Sequence, residues 1–460
     1  MPWLFLVLAL LGCSERPERR PGELPRRTGA SAATPLDEYV RSPDPSYSYR
    51  SIARHSGDEY VTHVLELTSQ TWRGPDEVDR TVWKHWLTIV VPARVSGSTA
   101  LLYLTGGTNG DPPPEDVDPT RRTLALATHS VVAELRMVPN QPLLFSGETE
   151  ARREDSLIAY GWDKFLRLGD PLWLPQLPMT KSAVRAMDTV TAYCASPEGG
   201  AIAVDRFVVA GRSKRGWTSW TTAAVDDRVV AVVPIVIDLL NLEQSFRHHF
   251  ESYGFWSPAI ANYTNLGIQD WFDTPQMAAL RATIEPYSYR ARLTLPKLIV
   301  NATGDPFFQP DSSRLYFSDL PGEKHLRYVP NAGHDLDADR LLASLLPFYR
   351  AIVAETARPE FSWSFDREDS IVVHPVDPPP SGVRVWEASN PEARDFRIDT
   401  LGPAWTSREL SAQEDGSYVA RGERPRTGWT AFFVELEFPS GGEEPFTLTT
   451  DVRVVPAQAP

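Results

Sequence analysis

The chain has 460 residues, 42% of them hydrophobic, and a formal net charge of −14. Because a single hydrophobic core rarely grows beyond about 250–300 residues, this length predicts two folded units. The acidic balance argues against the basic face that nucleic-acid binding requires, so no nucleic-acid partner is expected. The sequence also has neither a Walker phosphate loop nor a Gly-x-Gly-x-x-Gly motif.

The N-terminus has the pattern of a secretion signal. Its apolar run, Trp3 to Leu11, is much shorter than the roughly 20 residues that a membrane-spanning helix needs. The run ends in Leu-Leu-Gly-Cys13, which resembles a bacterial lipobox, so we expect residues 1–13 to be a lipoprotein signal peptide and Cys13 to carry lipid. A plain signal peptide with an incidental cysteine is the alternative. Residues 14–36, rich in Pro, Arg and Glu, are expected to form a disordered tether.

From Tyr60 onward the hydrophobic pattern predicts strands. Alternating residues over 60–67 and 83–91 indicate an antiparallel pair. After residue 100, short continuous apolar runs alternate with helical patterns, which is typical of a mostly parallel sheet with helices on both faces. The predicted buried strands are residues 100–104, 131–135, 207–210, 229–233, 298–300 and 325–329. The expected fold class is therefore α/β.

Two further regions differ in composition from this α/β pattern. Residues 238–295 form an aromatic-rich insert between two sheet strands, where a lid or pocket wall would lie, although packing against the sheet explains the same composition. Residues 359–460 carry repeated short strand patterns without helices, which predicts a C-terminal, immunoglobulin-like β-sandwich. We therefore expect an α/β domain over residues 37–358, including the insert, followed by that sandwich.

A serine lies between a predicted strand and a predicted helix in the stretch Ala-Gly-Arg-Ser213-Lys-Arg-Gly-Trp. A serine hydroxyl becomes a nucleophile when a base, oriented by an acid, takes its proton. The α/β-hydrolase arrangement puts this serine on a sharp strand-to-helix turn. Ser213 is therefore the predicted nucleophile, and a turn serine in a fold that has lost its chemistry is the alternative.

Residues suited to the acid and the base follow two later strands. Asp305 comes after the strand ending near residue 302, and His334 follows the strand ending at residue 329. The chain order Ser, Asp, His matches the α/β-hydrolase triad, and the carboxyl ends of strands are where open α/β sheets build their sites. We predict His334 as the base and Asp305 as its orienting acid, with Asp238 and Asp335 as alternative acids.

The predicted oxyanion donors are the backbone N–H of Lys214 and the loop that contains Gly106 and Gly107. Lys214 and Arg215 are two cations at a helix N-terminus, where they oppose the helix dipole. Something anionic should offset them, either acidic side chains of the protein or a negatively charged substrate. The neighbours His248-His249 point apart on a helix, and without a carboxylate cluster at ligand spacing no metal is expected. The predicted serine chemistry needs no cofactor.

Several stretches are distinctive: Pro139-Asn-Gln-Pro-Leu, Arg153-Glu-Asp-Ser-Leu-Ile-Ala-Tyr-Gly-Trp, Leu177-Pro-Met-Thr-Lys-Ser-Ala-Val-Arg-Ala-Met-Asp, Ser213-Lys-Arg-Gly-Trp-Thr, Gly304-Asp and Pro330-Asn-Ala-Gly-His. They resemble the PhoPQ-activated pathogenicity-related family, which includes autocrine proliferation repressor A-like proteins. The resemblance covers most of residues 37–350 and implies an α/β-hydrolase fold, distantly similar to prolyl oligopeptidase-type peptidases. Where the family's acid motif continues with Glu-Phe-Phe, this chain has Pro306-Phe-Phe, and Asp305 is retained.

Together these patterns predict a cell-envelope serine hydrolase that cleaves an ester or amide through an acyl-enzyme. Its partners are expected to be a small-molecule or peptide substrate and, through the lipid on Cys13, the membrane at the outer-membrane or periplasmic face; secretion is the alternative. Two other functions stay open. One is a peptidase of the prolyl oligopeptidase type, and the other is a catalytically silent hydrolase-fold protein that binds or signals through the aromatic insert or the sandwich.

Overall fold

A computed structural model describes residues 33–367 and 369–457. The predicted signal peptide, Cys13 and most of the predicted tether lie outside the described residues. The α-helices are α1 (Pro35–Arg41), α2 (Pro119–Thr128), α3 (Glu154–Leu168), α4 (Gln176–Ala195), α5 (Lys214–Val225), α6 (Leu242–Tyr253), α7 (Ala261–Thr264), α8 (Pro275–Ile284), α9 (Ala338–Val353) and α10 (Ile398–Leu401). Short 3-10 helices span Pro171–Trp173, Pro258–Ile260, Ile268–Trp271, Pro286–Arg292, Ser312–Leu315 and Phe317–Asp319.

The strands belong to two sheets. They are β1 (Ser48–Ser56), β2 (Tyr60–Thr71), β3 (Val82–Pro92), β4 (Thr99–Leu104), β5 (Val132–Leu135), β6 (Arg206–Arg212), β7 (Val229–Ile235), β8 (Lys297–Ala302), β9 (Lys324–Val329), β10 (Glu360–Arg367), β11 (Ser370–Asp377), β12 (Gly382–Asn390), β13 (Thr406–Glu409), β14 (Tyr418–Arg421), β15 (Trp429–Phe438), β16 (Phe446–Thr449) and β17 (Arg453–Val455). The large sheet has the order β1-β2-β3-β5-β4-β6-β7-β8-β9-β16-β15-β12-β13, with β17 on β15; the small sheet is β10-β11-β14.

The middle of the large sheet is parallel. Strands β5, β4, β6, β7, β8 and β9 pair in parallel, whereas β1, β2 and β3 continue the sheet in antiparallel pairs. From β2 to β9 the structure therefore has the mostly parallel sheet that the sequence predicted. Every predicted buried strand is confirmed, and so is the helix that follows Ser213. The chain begins its regular structure earlier than expected, with α1 and β1 preceding Tyr60.

Helices cover both faces of the parallel strands, and neighbouring strand residues therefore belong to different parts of the core. Leu102 packs in the larger cluster with residues of α3, α4 and α5, including Trp220. Leu101 packs in the second cluster with Leu124 of α2 and Leu345 of α9. A strand that is buried on both faces reads as a continuous apolar run, which is why the parallel strands were recognisable in the sequence.

The C-terminal strands form a sheet, but the predicted immunoglobulin-like β-sandwich is not confirmed. Strand β16 pairs with β9 through Thr449 and Leu326, so β16, β15, β12 and β13 extend the large sheet. The described residues from Ala33 onward belong to one compact unit. The predicted boundary near residue 358 falls between α9 and β10, and as a domain boundary it stays a prediction.

Candidate active site

Ser213 occupies a strained turn between β6 and α5. Its backbone angles are φ 56° and ψ −128°, in the positive-φ region that residues other than glycine rarely adopt. Such a conformation costs on the order of 1–3 kcal/mol and persists where the surrounding structure enforces it. Here the Ser213 N–H donates to the carbonyl of Ile235 on β7 at 2.8 Å. This is the sharp strand-to-helix turn that the sequence predicted.

The structure brings His334 together with Asp305. Nδ1 of His334 lies 2.8 Å from Oδ2 of Asp305, which is only 3% exposed. The other carboxylate oxygen, Oδ1, accepts the N–H of Phe307 at 2.8 Å. Because a carboxylate only accepts hydrogen bonds, the proton of a neutral imidazole resides on Nδ1, and Nε2 keeps the lone pair of a general base.

His334 and Ser213 line the same cavity, which is open and has a volume of about 860 Å³. It lies at the carboxyl ends of β4, β6 and β9, because Gly106, Ser213 and His334 each follow one of these strands. Because the predicted nucleophile and base each follow a parallel strand of one sheet, the fold places both in this cavity.

The two alternative acids, Asp238 and Asp335, lie in environments that differ from that of Asp305. Asp238 is buried and accepts hydrogen bonds from the hydroxyls of Tyr316, at 2.5 Å, and Tyr328, at 2.6 Å. Burial raises the pKa of Asp238 to about 7, although both tyrosine hydrogen bonds lower it. Asp335 is exposed at the cavity rim. Of the three carboxylates, Asp305 is the one that is hydrogen-bonded to His334.

The predicted oxyanion donors separate into two groups. Lys214 is the first residue of α5, so its backbone N–H has no partner within the helix. Gly106 lines the cavity together with Ser213 and Lys214. Gly107 is not part of that lining, and its carbonyl accepts from the side chain of Gln141 at 3.3 Å. The sequence puts both glycines in the predicted oxyanion loop, with Gly107 as the candidate donor and Gly106 as either a donor or a turn residue; of the two, Gly106 is the one that lines the cavity.

Acidic side chains of the protein offset the two cations beside Ser213. Nη1 and Nη2 of Arg215 donate to the two carboxylate oxygens of Glu154, at 2.7 and 2.6 Å. Nζ of Lys214 lies 2.8 Å from Glu154 and 3.5 Å from Asp155. Burial raises the pKa of Glu154, but the hydrogen bonds and charges of Arg215 and Lys214 outweigh it and hold that pKa well below its usual range.

Sequence reasoning missed the role of Glu154. The residue opens α3, and its backbone also has positive φ, at 49°. The available signal was its place in the Arg153-Glu-Asp-Ser stretch at the start of a helix, where an acidic residue usually interacts with its own helix dipole. Its cationic partners, Lys214 and Arg215, are about 60 residues away in the sequence.

A second, narrow pocket of about 50 Å³ adjoins Ser213. Apolar and aromatic side chains dominate its wall, and the insert contributes several of them, among them Phe246 and Tyr263. Residues of the insert therefore line a pocket beside Ser213. The principal lining side chains are Trp162, Trp217, Ile237, Phe246, Tyr263 and Phe308.

The adjacent histidines of the insert are each engaged within the protein. Nε2 of His248 lies 2.9 Å from Asp311, and Nε2 of His249 accepts the N–H of Ser257 at 3.0 Å. Across residues 33–367 and 369–457, no group of three or more His, Cys, Asp or Glu residues is arranged to hold a metal ion. Over the same ranges, every helix is too short or too polar to span a bilayer.

Comparisons with known proteins identify the family. The family model "PhoPQ-activated pathogenicity-related protein" matches residues 36–397. Autocrine proliferation repressor protein A of Dictyostelium discoideum is 37% identical over 458 residues, which cover 93% of this chain and 92% of that protein. Similar solved structures include the acetyl xylan esterase from Paenibacillus sp. R4, with 16% identity, a TM-score of 0.48, and coverage of 69% of this chain and 92% of that one. Acetyl xylan esterase 1 from Thermoanaerobacterium sp. JW/SL YS485 gives 16% identity, a TM-score of 0.47, and coverage of 69% and 93%. The chain belongs to the PhoPQ-activated pathogenicity-related protein family.

Proposed function

We propose that the protein is a serine hydrolase that cleaves an ester or an amide through an acyl-enzyme. One observation supports this most directly: the imidazole of His334, hydrogen-bonded to buried Asp305, shares a cavity with Ser213 on its strained turn. A nucleophile, a base and an orienting acid in this relation are what acyl transfer needs.

In the proposed reaction, Oγ of Ser213 attacks the substrate carbonyl carbon while Nε2 of His334 takes the hydroxyl proton. Asp305 stabilises the imidazolium that forms. The N–H groups of Lys214 and Gly106 hold the oxyanion of the tetrahedral intermediate, and such donors are each commonly worth about 10²–10³ in rate. The intermediate collapses as His334 returns the proton to the leaving alcohol or amine. Water, deprotonated by the same imidazole, then attacks the carbonyl carbon of the acyl-enzyme. This step releases the carboxylic acid product and regenerates Ser213.

The two cavities beside Ser213 suggest which part of a substrate binds in each of them. The narrow pocket is apolar and has room for only a small group, which suits a short acyl chain. The wide cavity is polar and open, and it suits the leaving group. We therefore propose short-chain acyl esters or amides with a polar leaving group as the substrate class.

Labelling with a fluorophosphonate probe tests the nucleophile. The wild-type protein should react, and Ser213→Ala and His334→Ala should not. Ser219→Ala is a matched control, because Ser219 is buried in the same helix and its hydroxyl donates to a backbone carbonyl of that helix. A folded wild-type protein that neither labels nor hydrolyses p-nitrophenyl acetate would favour the silent binding protein instead. Labelling accompanied by cleavage of peptides but not esters would favour the peptidase.

The proposed location at the cell envelope depends on the lipobox-like sequence. We propose that Cys13 carries the lipid anchor. Metabolic labelling with an alkyne-bearing fatty acid in a bacterial host should mark the protein, and Cys13→Ala should abolish the mark. Cys194→Ala is the control, since Cys194 is the second of two cysteines and is buried. A mark that survives in Cys13→Ala would contradict the anchor.

A further inference from the structure

We propose that a C-terminal segment, residues 394–405, braces the two loops that carry Asp305 and His334, and that Ile398 is its central positioning residue. The inference rests on the proposed serine hydrolase. It gives the C-terminal region a part in the chemistry, although no side chain of this brace reaches the reacting atoms.

Ile398 contacts the residue that precedes each member of the acid–base pair. Its N–H donates to the carbonyl of Gly304 at 2.9 Å. A Cβ added to Gly304 would lie 2.8 Å from Cβ of Ile398, and one added to Gly333 would lie 3.2 Å from its Cγ2. Gly304 and Gly333 immediately precede Asp305 and His334. Glycine at both positions allows one isoleucine to press against the two loops at once.

The two loops are also joined to each other and to the brace by polar contacts. The N–H of Gly304 donates to the carbonyl of Ala332 at 2.9 Å. The side-chain amide of Asn331 donates to the carbonyl of Trp405 at 2.8 Å and accepts its N–H at 2.9 Å. These two hydrogen bonds fix the relative orientation of Asn331 and the backbone of Trp405 as well as the distance between them.

Buried arginines fasten the brace to the insert. Arg394 donates to Oγ of Ser252 in α6 and to Asp311 after β8, both at 2.6 Å, and it is 9% exposed. Arg397 is held by Asp395 and reaches Oγ of Ser257 at 3.3 Å. Because a buried charge loses much by leaving its partner, these contacts keep the brace in one place.

Because Ile398 is only partly buried, its effect on the position of the two loops can be measured apart from its effect on stability. Its side chain is only half-buried and lies in a four-residue helix, so shortening it removes little core packing. The hydrogen bond between Asp305 and His334, in contrast, depends on the spacing of their loops. Misplacement by about 1 Å can cost on the order of 10²-fold in rate.

Three variants test the brace. Ile398→Ala removes Cγ2, which faces Gly333, and keeps Cβ and the backbone hydrogen bond at Gly304. Ile398→Val keeps Cγ2, and Ile371→Ala is a control that shortens a fully buried isoleucine elsewhere in the C-terminal region. We expect Ile398→Ala to lower kcat on p-nitrophenyl acetate about tenfold or more with KM within twofold. Ile398→Val should retain most of the rate. Ile371→Ala should lower Tm more than Ile398→Ala and keep kcat per folded molecule.

Hydrogen–deuterium exchange provides a readout that does not need activity. In Ile398→Ala, peptides covering residues 303–307 and 331–336 should exchange faster, whereas Ile371→Ala should leave them unchanged. If the wild-type protein fails to label with fluorophosphonate, the proposed function fails, and the exchange data still decide the brace. Wild-type exchange in both loops of Ile398→Ala would overturn the brace, as would a wild-type kcat where activity is present.

Discussion

Glu154 binds both terminal nitrogens of the Arg215 guanidinium, so the first residue of α3 is tied to the first turn of the helix that follows Ser213. Gln141 completes the link, since its side chain accepts the N–H of Glu154 at 2.8 Å and donates to its carboxylate at 2.5 Å. The charge beside the candidate nucleophile is therefore balanced inside the protein. An anionic substrate is not needed to offset the two cations.

Removing the carboxylate charge should destabilise the fold. We expect Glu154→Gln to lower the free energy of unfolding by about 1–3 kcal/mol, because charged hydrogen bonds to Arg215 and Lys214 are lost. Urea unfolding at pH 7 measures this. The control is Glu148→Gln, which breaks an i,i+4 pair with Arg152 near the surface and should cost less than about 1 kcal/mol. Equal losses in the two variants would contradict the assigned importance of Glu154.

Substitution of two of the candidate acids, Asp305 and Asp335, should separate their roles. Asp305→Asn is expected to reduce kcat by about 10²–10⁴, since an amide no longer fixes the tautomer of His334. Asp335→Asn, which alters an exposed residue, should stay within about threefold of wild type. Hydrolysis of p-nitrophenyl acetate reports both. A severe loss in Asp335→Asn with an active Asp305→Asn would reverse the assignment.

A methyl group on Gly106 should disturb the oxyanion side of the cavity. The added Cβ would lie 2.6 Å from Nη2 and 3.1 Å from Cζ of Arg215, whose guanidinium Glu154 holds in place. The loop must move instead, so we expect Gly106→Ala to lower kcat about tenfold or more. Gly97→Ala is the control, because its Cβ would meet nothing within 4 Å. Normal kcat in Gly106→Ala would remove this loop from the proposed mechanism.

The buried carboxyl of Asp238 should make stability depend on pH in the direction opposite to most carboxylates. Burial raises its pKa from 3.8 to about 7, so between these values the folded protein holds a proton that the unfolded chain has lost. Its contribution to stability is therefore complete below pH 3.8 and is lost as the pH rises through about 7. We expect Asp238→Asn to lose less stability than wild type between pH 5 and 8, as measured by urea unfolding at each pH. Parallel curves would contradict this.

The apolar pocket should control acyl chain length. Phe246→Ala removes a ring from its wall, where Phe246 is 5% exposed. We expect the ratio of kcat/KM for p-nitrophenyl hexanoate over p-nitrophenyl acetate to rise about tenfold, in line with the few kcal/mol that apolar burial contributes. Phe361→Ala, in the C-terminal small sheet, should leave the ratio unchanged. An unchanged ratio in Phe246→Ala would argue that the acyl group binds elsewhere.

Local pattern was enough to predict the parallel strands and the turn at Ser213. Strands such as β4 are buried on both faces and so consist of consecutive apolar residues, and the order of Ser213, Asp305 and His334 along the chain is itself sequence information. The C-terminal strands were also recognisable one by one. Their attachment to β9 was not recognisable, because the sequence of a strand does not show which strand it will pair with.

Tertiary structure determined which side chains contact one another at the candidate site. Asp305, Asp238 and Asp335 all follow or adjoin the right strands, and only the folded chain shows that two tyrosines hold Asp238 while His334 bonds to Asp305. The pairing of Glu154 with Arg215 is likewise long-range. Hydrogen bonds and ion pairs depend on distances of a few ångströms between segments far apart in the chain, whereas strands and turns depend on neighbours, and that difference in range sets what the sequence alone determines.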